Sequence, residues 1–427
     1  MPHIITLNQE TDTPARREYF GGMALTYLYD RSRDSQQAGG RGQDFIAFCG
    51  TETRLAFTVC DGVSQSFYGD LAARFLGEKL TAWLADLPFP HDPEAFRATL
   101  SAQLSALQPA AAELVAAHPI RPDLPPMLRD ALARKRENGS ETMFIAALID
   151  LTTSQFVACW MGDLRLRLFD ANGAELPLPA AVWETRQRWS SRLGAKNGDP
   201  QVLVQPLAGV ARLTAYSDGF GSRADMLKRF TLESLNALAD ELLSLPASDD
   251  LSLLDVAFQA APDLLPPLEV PAPQPIPDEP ALRWQAVPSA EWYRVWLEGE
   301  GRAFTVDVPA NPSPTFLLSA VGSYQCAVQA LASQHSPSAL SAPFRLESTA
   351  PLEADITRKA APPSKPIITK KITTEQVMVP AISAAPNPAP HHSTAHTEPL
   401  TWQLVTAVAL AISVGLAAVW YLVNLRV

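Results

Sequence analysis

The chain has 427 residues, 47% of them hydrophobic, which is enough to form two separate cores and one membrane anchor. A formal net charge of −11 excludes a general nucleic-acid binder, because no basic excess exists to neutralise phosphates. Cys49, Cys60, Cys159 and Cys326 all fall in predicted strands at spacings unlike a zinc or disulfide framework, which fits a reducing compartment.

In chain order, residues 44–49 and 55–60 are apolar, β-branched or aromatic, and Thr51, Glu52, Thr53 and Arg54 between them read as a hairpin turn. A turn centred between Glu52 and Thr53 sets Asp44 opposite Asp61. Like charges that face each other across a ladder repel, and a divalent cation between them removes that cost. Helical spacing of apolar residues covers 65–85, a second helix runs over 93–117 behind Asp92 and Pro93, and a third over about 124–136. Two nearly continuous apolar strands follow, TMFIAALIDL and QFVACWMGDL, with a turn at Thr152 to Ser154. Asp218 then closes ARLTAYSDG, and Asp249 or Asp250 opens DDLSLLDVAF. Any one of these aspartates is explained by the ordinary preference of Asp for strand ends. Together, with Gly62 and Gly219 following two of them, they point to a sheet edge that binds a hard cation such as Mg²⁺ or Mn²⁺.

Seven short motifs recur in order: GQD at Gly42 to Asp44, CDGVSQS at Cys60 to Ser66, GSET at Gly139 to Thr142, GDLRLRL at Gly162 to Leu168, SRLG at Ser191 to Gly194, SDGF at Ser217 to Phe220, and DDLS at Asp249 to Ser252. The series resembles the metal-dependent type 2C protein phosphatases (PPM-type), whose motifs run NEDA, DGxGG, GST, GDSR, LG, SDG and DN(I/V)T. The resemblance covers roughly residues 15–260, and ordered recurrence is far more specific than any single motif. It implies an α+β fold, a four-layer α-β-β-α sandwich over residues 1–260.

Carried over by motif, Asp61 is the residue that bridges two Mg²⁺ or Mn²⁺ ions, with the Gly62 carbonyl as a ligand to one of them. Asp218 and Asp249 complete one metal site, Asp44 binds the second ion through water, and Asp163 shares in a third, weaker site. The implied reaction needs no protein nucleophile: the ions, held by Asp61 and Asp218 above all, activate a bridging water against a phosphoserine or phosphothreonine monoester. None of the seven histidines lies in a motif. The implied partners are phosphorylated Ser/Thr proteins and a cognate Ser/Thr kinase. Residues Arg192 to Asp199 correspond to a substrate-touching flap. The chain departs from the family at Ser64 and Gln65, at Leu164, and at Gly39, which stands where many members carry a phosphate-gripping arginine. Arg41, Arg33 or Arg31 can substitute from neighbouring positions, because a guanidinium clamps phosphate bidentately.

Residues 261–280 hold eight prolines and read as a linker. Beyond it, short alternating runs over 281–348, starting as early as about 265, read as an all-β sandwich. They resemble a fibronectin type III domain, with Trp284, Tyr293 and Tyr324 at the family's core aromatic positions. Trp292, Trp296 and Phe304 read as core or strand-surface packing in preference to a ligand-binding face. Residues 349–401 hold nine prolines and no periodicity, the composition of a disordered tether. Within 402–425, Leu404 to Val423 is an uncharged apolar run of 20 residues, long enough at about 1.5 Å per residue to cross about 30 Å of hydrocarbon. Trp402 stands before it, and Trp420 and Tyr421 near its far end, as interfacial aromatics do. No signal-peptide pattern opens the chain, so the expected arrangement is a single-pass C-terminal anchor with the catalytic domain in the cytoplasm. The sequence therefore reads as a membrane-tethered phosphoprotein phosphatase; the alternative is a pseudophosphatase or protein-binding scaffold at the membrane.

Overall fold

Near-continuous apolar character in the runs around residues 45–62 and 141–161 leaves them no stable place except inside a sheet covered on both faces. The computed structural model describes residues 4–348 apart from 179–182, 260–263, 278, 300–301, 312 and 319–320. Strand Phe45–Gly50 pairs with Arg54–Gly62 in the register expected from the turn, Phe45 opposite Cys60 and Gly50 opposite Leu55. Arg54–Gly62 pairs in turn with Glu141–Asp150, and that strand with Gln155–Met161, inside an eight-stranded antiparallel sheet. A second sheet of six strands runs in the order Thr13–Phe20, Met23–Asp30, Leu251–Phe258, Arg212–Tyr216, Arg165–Phe169 and Glu175–Leu176.

The two sheets share one core. Ile46, Phe48, Phe57, Val59 and Ile145 of the first pack with Leu25, Tyr27, Leu166, Leu213 and Leu254 of the second, all essentially inaccessible to solvent. Alternate residues of the first sheet, among them Phe45, Cys60, Phe144 and Val157, turn outward against the helices Gly69–Asp86 and Pro93–Ala117. The second sheet is covered on its outer side by the 3₁₀ segment Asp218–Lys228 and the helix Leu232–Leu243. The result is a mixed α/β arrangement in four layers, helices outside and two sheets within.

Local chemistry sets the helix ends. Asp92 caps its helix by accepting from the Glu94 amide at 3.0 Å, with Pro93 in the first turn. The helix expected from residue 65 starts instead at Gly69, because Ser66 folds back on the Val63 carbonyl through both its amide (2.9 Å) and hydroxyl (2.8 Å) and Tyr68 takes a left-handed conformation, φ 43°. The third helix, Pro126–Asn138, is shifted to begin at a proline and ends at Gly139, whose amide returns to the Lys135 and Arg136 carbonyls.

Residues 264–348 form a three-stranded sheet, Gln274–Pro275, Ala281–Arg283 and Thr315–Leu317, facing a four-stranded one, Arg302–Pro309, Trp292–Gly299, Gly322–Leu331 and Phe344–Ser348. Trp284, Tyr293, Tyr324, Val295 and Val328 fill the space between them, with Trp284 edge-on to Tyr293 at 5.3 Å. Leu268, in the proline-rich stretch, is buried in the same core. Phe304 packs on that core and against Tyr324, while Trp292 is buried beneath the Arg16 guanidinium at 4.7 Å. The tether and apolar run expected at 349–401 and 402–425 lie outside the described residues; among those described, no helix is long and apolar enough to cross a membrane.

A buried charge network fastens the all-β part to the six-stranded sheet. Arg294, its side chain 2% exposed, donates to both oxygens of Glu18 at 2.8 Å, to Asp307 at 2.9 Å and to the Tyr27 hydroxyl at 3.2 Å. Arg16 closes the ring on Asp307 at 2.7 Å. Residues 4–348 lie within one compact unit, Met1–Asp355. Removing one partner of such a network leaves uncompensated buried charge, so Arg294→Ala is expected to lower unfolding stability by about 3–5 kcal/mol. Denaturant titration checks this, and a loss below about 1 kcal/mol would show the network to be solvated, as exposed pairs are.

Candidate metal centre

Asp61, Asp163 and Asp218 each bring a carboxylate oxygen within 4.8 Å of the others. Three separate elements deliver them. Asp61 is the penultimate residue of strand Arg54–Gly62 in the eight-stranded sheet, and Asp218 opens the 3₁₀ segment directly after strand Arg212–Tyr216 in the other sheet. Asp163 sits in the short connection by which the chain passes from strand Gln155–Met161 of one sheet to Arg165–Phe169 of the other. The cluster thus lies on the seam between the sheets, where strand ends from both meet.

Tight backbone packing holds this seam. A Cβ on Gly62 would come within 2.5 Å of the Gly69 carbonyl carbon and 2.7 Å of the Gln43 oxygen, and one on Gly219 within 2.3 Å of the Asp250 oxygen. The glycine after each aspartate is therefore required by close approach. The GSET segment serves as architecture: Thr142 Oγ1 donates to the Asp61 carbonyl at 2.7 Å, and Ser140 Oγ donates to the Tyr68 carbonyl at 2.8 Å while accepting from the Ala72 amide at 3.1 Å.

Asp249 and Asp250, interchangeable in the sequence, differ in the fold. Asp250 is buried, and its carboxylate accepts from the amides of Ser32 (2.5 Å), Gln43 and Asp44 (3.3 Å), so both oxygens are consumed. Asp249 is exposed, with one oxygen accepting from the Asp250 amide at 2.9 Å. Asp44 lies outside the triad, buried, with Oδ2 accepting from Ser252 Oγ at 2.7 Å.

Electrostatics ties these groups into one set. Desolvation, then the charges of Asp218, Asp249 and Asp163, pushes the Asp61 carboxyl well above the usual range. Desolvation followed by Asp249 and Asp163 raises Asp218 to about 6. Asp249 is raised by desolvation, with Asp250 and Asp163 adding to it, and Asp44 by burial, then Asp61 and Asp250. Among the described residues, no ion pair reaches Asp44, Asp61, Asp163, Asp218, Asp249 or Asp250. Asp163 Oδ1 is buried with no hydrogen-bond partner. Several carboxylates, a nearby backbone carbonyl and an orphaned buried oxygen make an oxygen-only donor set, which fits Mg²⁺ or Mn²⁺.

The arginines of the preceding loop are already engaged. Arg31 is held by Asp12 at 2.9 and 3.2 Å and by the Gly40 carbonyl at 3.0 Å, Arg41 by Glu10 at 2.5 Å, and Arg33 reaches the Ser244 carbonyl at 3.5 Å. Sequence reasoning passed over Arg165, whose positive charge lowers the Asp218 carboxyl. Its guanidinium lies 5.3 Å from the Trp183 ring, and Nη1 is buried without a hydrogen-bond partner. The signal was present in GDLRLRL, where Leu164 and Leu166 turn into the core and place Arg165 on the opposite side. The flap segment Arg192 to Asp199 contains the strand Gly194–Lys196, which pairs with Arg188–Ser190 just before it; the hairpin is tied to Glu141 through Arg188 at 2.8 Å and Lys196 at 2.7 Å.

No family model matches the chain, and no curated protein matches it. Among solved structures it is similar to serine/threonine phosphatase Stp1 from Staphylococcus aureus, at 13% identity over 57% of this chain and 99% of that one, TM-score 0.40. It is similar also to a serine-threonine phosphatase 2C from Toxoplasma gondii, at 12% identity over 61% and 100%, TM-score 0.42. A third is RsbX in complex with magnesium, at 12% identity over 58% and 100%, TM-score 0.38. At those scores the likeness assigns neither a family nor an activity.

The raised carboxyls give a signed test. Asp218 has an ordinary value of 3.8 and a folded value of about 6, so between those values the folded state holds a proton the unfolded state has released. Its contribution to metal-free stability therefore falls as pH rises from about 4 through about 6. Asp218→Asn is expected to flatten that slope in calorimetry. A divalent ion takes the deprotonated set, so Mn²⁺ at roughly a hundred times its Kd should add about 2.7 kcal/mol at about pH 7.5 and less at about pH 5. A pH-independent gain, or none, would remove the cluster as the binding site.

Proposed function

We propose that the chain is a metal-dependent phosphoprotein phosphatase of the type 2C kind, hydrolysing phosphoserine and phosphothreonine monoesters. The observation that supports this best is the meeting of Asp61, Asp163 and Asp218 on the seam between two sheets, within the fields of Asp44 and Asp249 and, among the described residues, with no cation paired to any. Two divalent ions, with a third near Asp163, would supply Lewis acidity for attack of water on phosphorus and neutralise charge on the phosphoryl oxygens. Asp61 and the Gly62 carbonyl would hold them at the centre, Asp218 and Asp249 from the second sheet, and Asp44 through water, oriented by Ser252. Arg165, with an unused buried donor and a charge that acts on Asp218, is the proposed grip on a phosphoryl oxygen in place of a loop arginine. The all-β part is proposed to be fibronectin type III-like, and residues 402–425 to anchor the chain in a membrane, with a Ser/Thr kinase as the opposing activity.

A second reading, a pseudophosphatase used as a scaffold, is favoured by one observation: Gly39 stands at the usual arginine position, and Arg31 and Arg41 are committed to Asp12 and Glu10. One assay separates the two. The full chain with Mn²⁺ is expected to hydrolyse p-nitrophenyl phosphate, with Asp61→Asn and Asp218→Asn falling to background. Loss of Arg165 hydrogen bonds to a charged oxygen is worth about 1.5–3 kcal/mol, so Arg165→Ala should raise KM by roughly tenfold to a hundredfold. Calorimetric metal binding with no turnover would establish the scaffold instead. For the anchor, the full chain is expected to sediment with membranes until detergent is added, and a chain ending at residue 401 to remain in the supernatant.

A further inference from the structure

The loop that leaves Asp61 also meets cationic side chains. Lys135, from the helix Pro126–Asn138, donates to the Ser64 carbonyl at 3.2 Å. Its neighbour Arg136 donates to the His118 carbonyl at 3.4 Å and lies 6.0 Å from the Phe67 ring. Phe67, Tyr68 and His118 pack edge-on, Phe67 to Tyr68 at 4.6 Å and Tyr68 to His118 at 5.0 Å. Arg74, in the second turn of the helix Gly69–Asp86, and Arg41 act on the same imidazole: with burial first, the charges of Arg41, Arg74 and Arg136 together hold His118 below its ordinary pKa.

The acids nearby cancel only part of this charge. Glu10 is taken by Arg41 and Asp123 by Arg121, and the buried Asp70 lies within the fields of Arg74 and Arg41. Among the described residues, Arg74, Lys135 and Arg136 form no ion pair. Three cations gathered around an aromatic cluster repel one another, and an anion placed among them relieves that repulsion. The frame is fixed: Tyr68 holds a left-handed backbone and its carbonyl accepts from Ser140.

We infer that Arg74, Lys135 and Arg136, set around Phe67, Tyr68 and His118, form a docking surface for an acidic peptide segment flanking the phosphorylated residue of a protein substrate. This rests on the phosphatase reading for the word substrate, though not for the binding. A short acidic peptide suits the surface better than a long polyanion, since the chain's net charge of −11 repels anything that extends beyond the patch. Ser64, which Lys135 touches, lies three residues past Asp61, so a peptide docked there has its phosphorylated residue within reach of the cluster.

The test uses the full chain with Mn²⁺ and two phosphoserine peptides that differ only in flanking Glu against flanking Gln. At low salt the acidic peptide is expected to show a KM about five- to tenfold lower, an advantage that shrinks as salt rises. The triple variant Arg74→Ala, Lys135→Ala, Arg136→Ala should lose that advantage and keep its rate on p-nitrophenyl phosphate. Equal KM values for the two peptides, or a preference that survives in the variant, overturn the proposal. Should the triple variant fail to fold, Arg74→Gln alone must still remove part of the preference. A chain that hydrolyses nothing yet binds the unphosphorylated acidic peptide in fluorescence anisotropy, with salt sensitivity the variant lacks, keeps the surface and loses the phosphatase reading.

Discussion

The buried carboxylate of Asp250 joins the two sheets at the rim where the candidate site lies. It stands at the head of strand Leu251–Phe258 in one sheet, yet its oxygens accept from the amides of Gln43 and Asp44 at the head of a strand in the other, and from Ser32 in the loop between. Those donors fix the spacing of Asp44 from Asp218 and Asp249. Without that clamp the two sheets would still share an apolar core, but hydrophobic contact is non-directional and would leave the register of the rim undetermined. Polar bonds of this kind set geometry at a place where packing alone does not.

Much of this arrangement is legible in the sequence, for reasons that can be named. The hairpin from Phe45 to Gly62 has its register set by a short turn, so facing Asp44 toward Asp61 needed only local information. Asp218 and the Asp249–Asp250 pair were legible because aspartate at a strand end beside glycine is a strong local signal. What could not be read was anything decided by long-range bonding. Asp249 and Asp250 have identical side chains, and only the donors from residues 32, 43 and 44, more than two hundred positions away, consume one and spare the other. Arg165 was passed over because its significance depends on Trp183 and Asp218, which the fold brings to it. The helix start at Gly69 was missed because a serine turn at Ser66 competes with helical bonding, and periodicity does not register such competition.

The same limit applies to the network around Arg294. Glu18 and Arg294 are 276 positions apart, and each looks like an ordinary exposed residue on an alternating strand. In the fold they are desolvated together with Asp307, Arg16 and Tyr27. A buried ion network contributes less to net stability than apolar packing of the same volume would, because desolvation offsets most of the attraction. Its directional donors instead allow one relative placement of the strands Thr13–Phe20 and Trp292–Gly299. Tyr27 links this interface to the inter-sheet core, since its ring lies in that core while its hydroxyl donates to Glu18 at 2.6 Å.

Opposite charges along one loop, acidic at Asp61 and basic at Ser64 and Phe67, constrain how a phosphorylated peptide could approach. Without a cation, the seam carries several carboxylates whose burial and, after it, mutual repulsion raise their proton affinity, and the same repulsion would act on an incoming phosphate. A phosphate dianion would therefore be repelled by the bare cluster. On the phosphatase reading, divalent ions would reverse the sign of that field, and would then govern binding of the substrate as well as its reaction. The cations beyond Ser64 are under no such control, because their charge persists whether or not the cluster is filled. An acidic segment would thus be held beside the site independently of metal, and its phosphate would be admitted only once the carboxylates were neutralised. In that order, docking would contribute affinity without chemistry, and the metal alone would decide whether the docked ester met a site that accepts it.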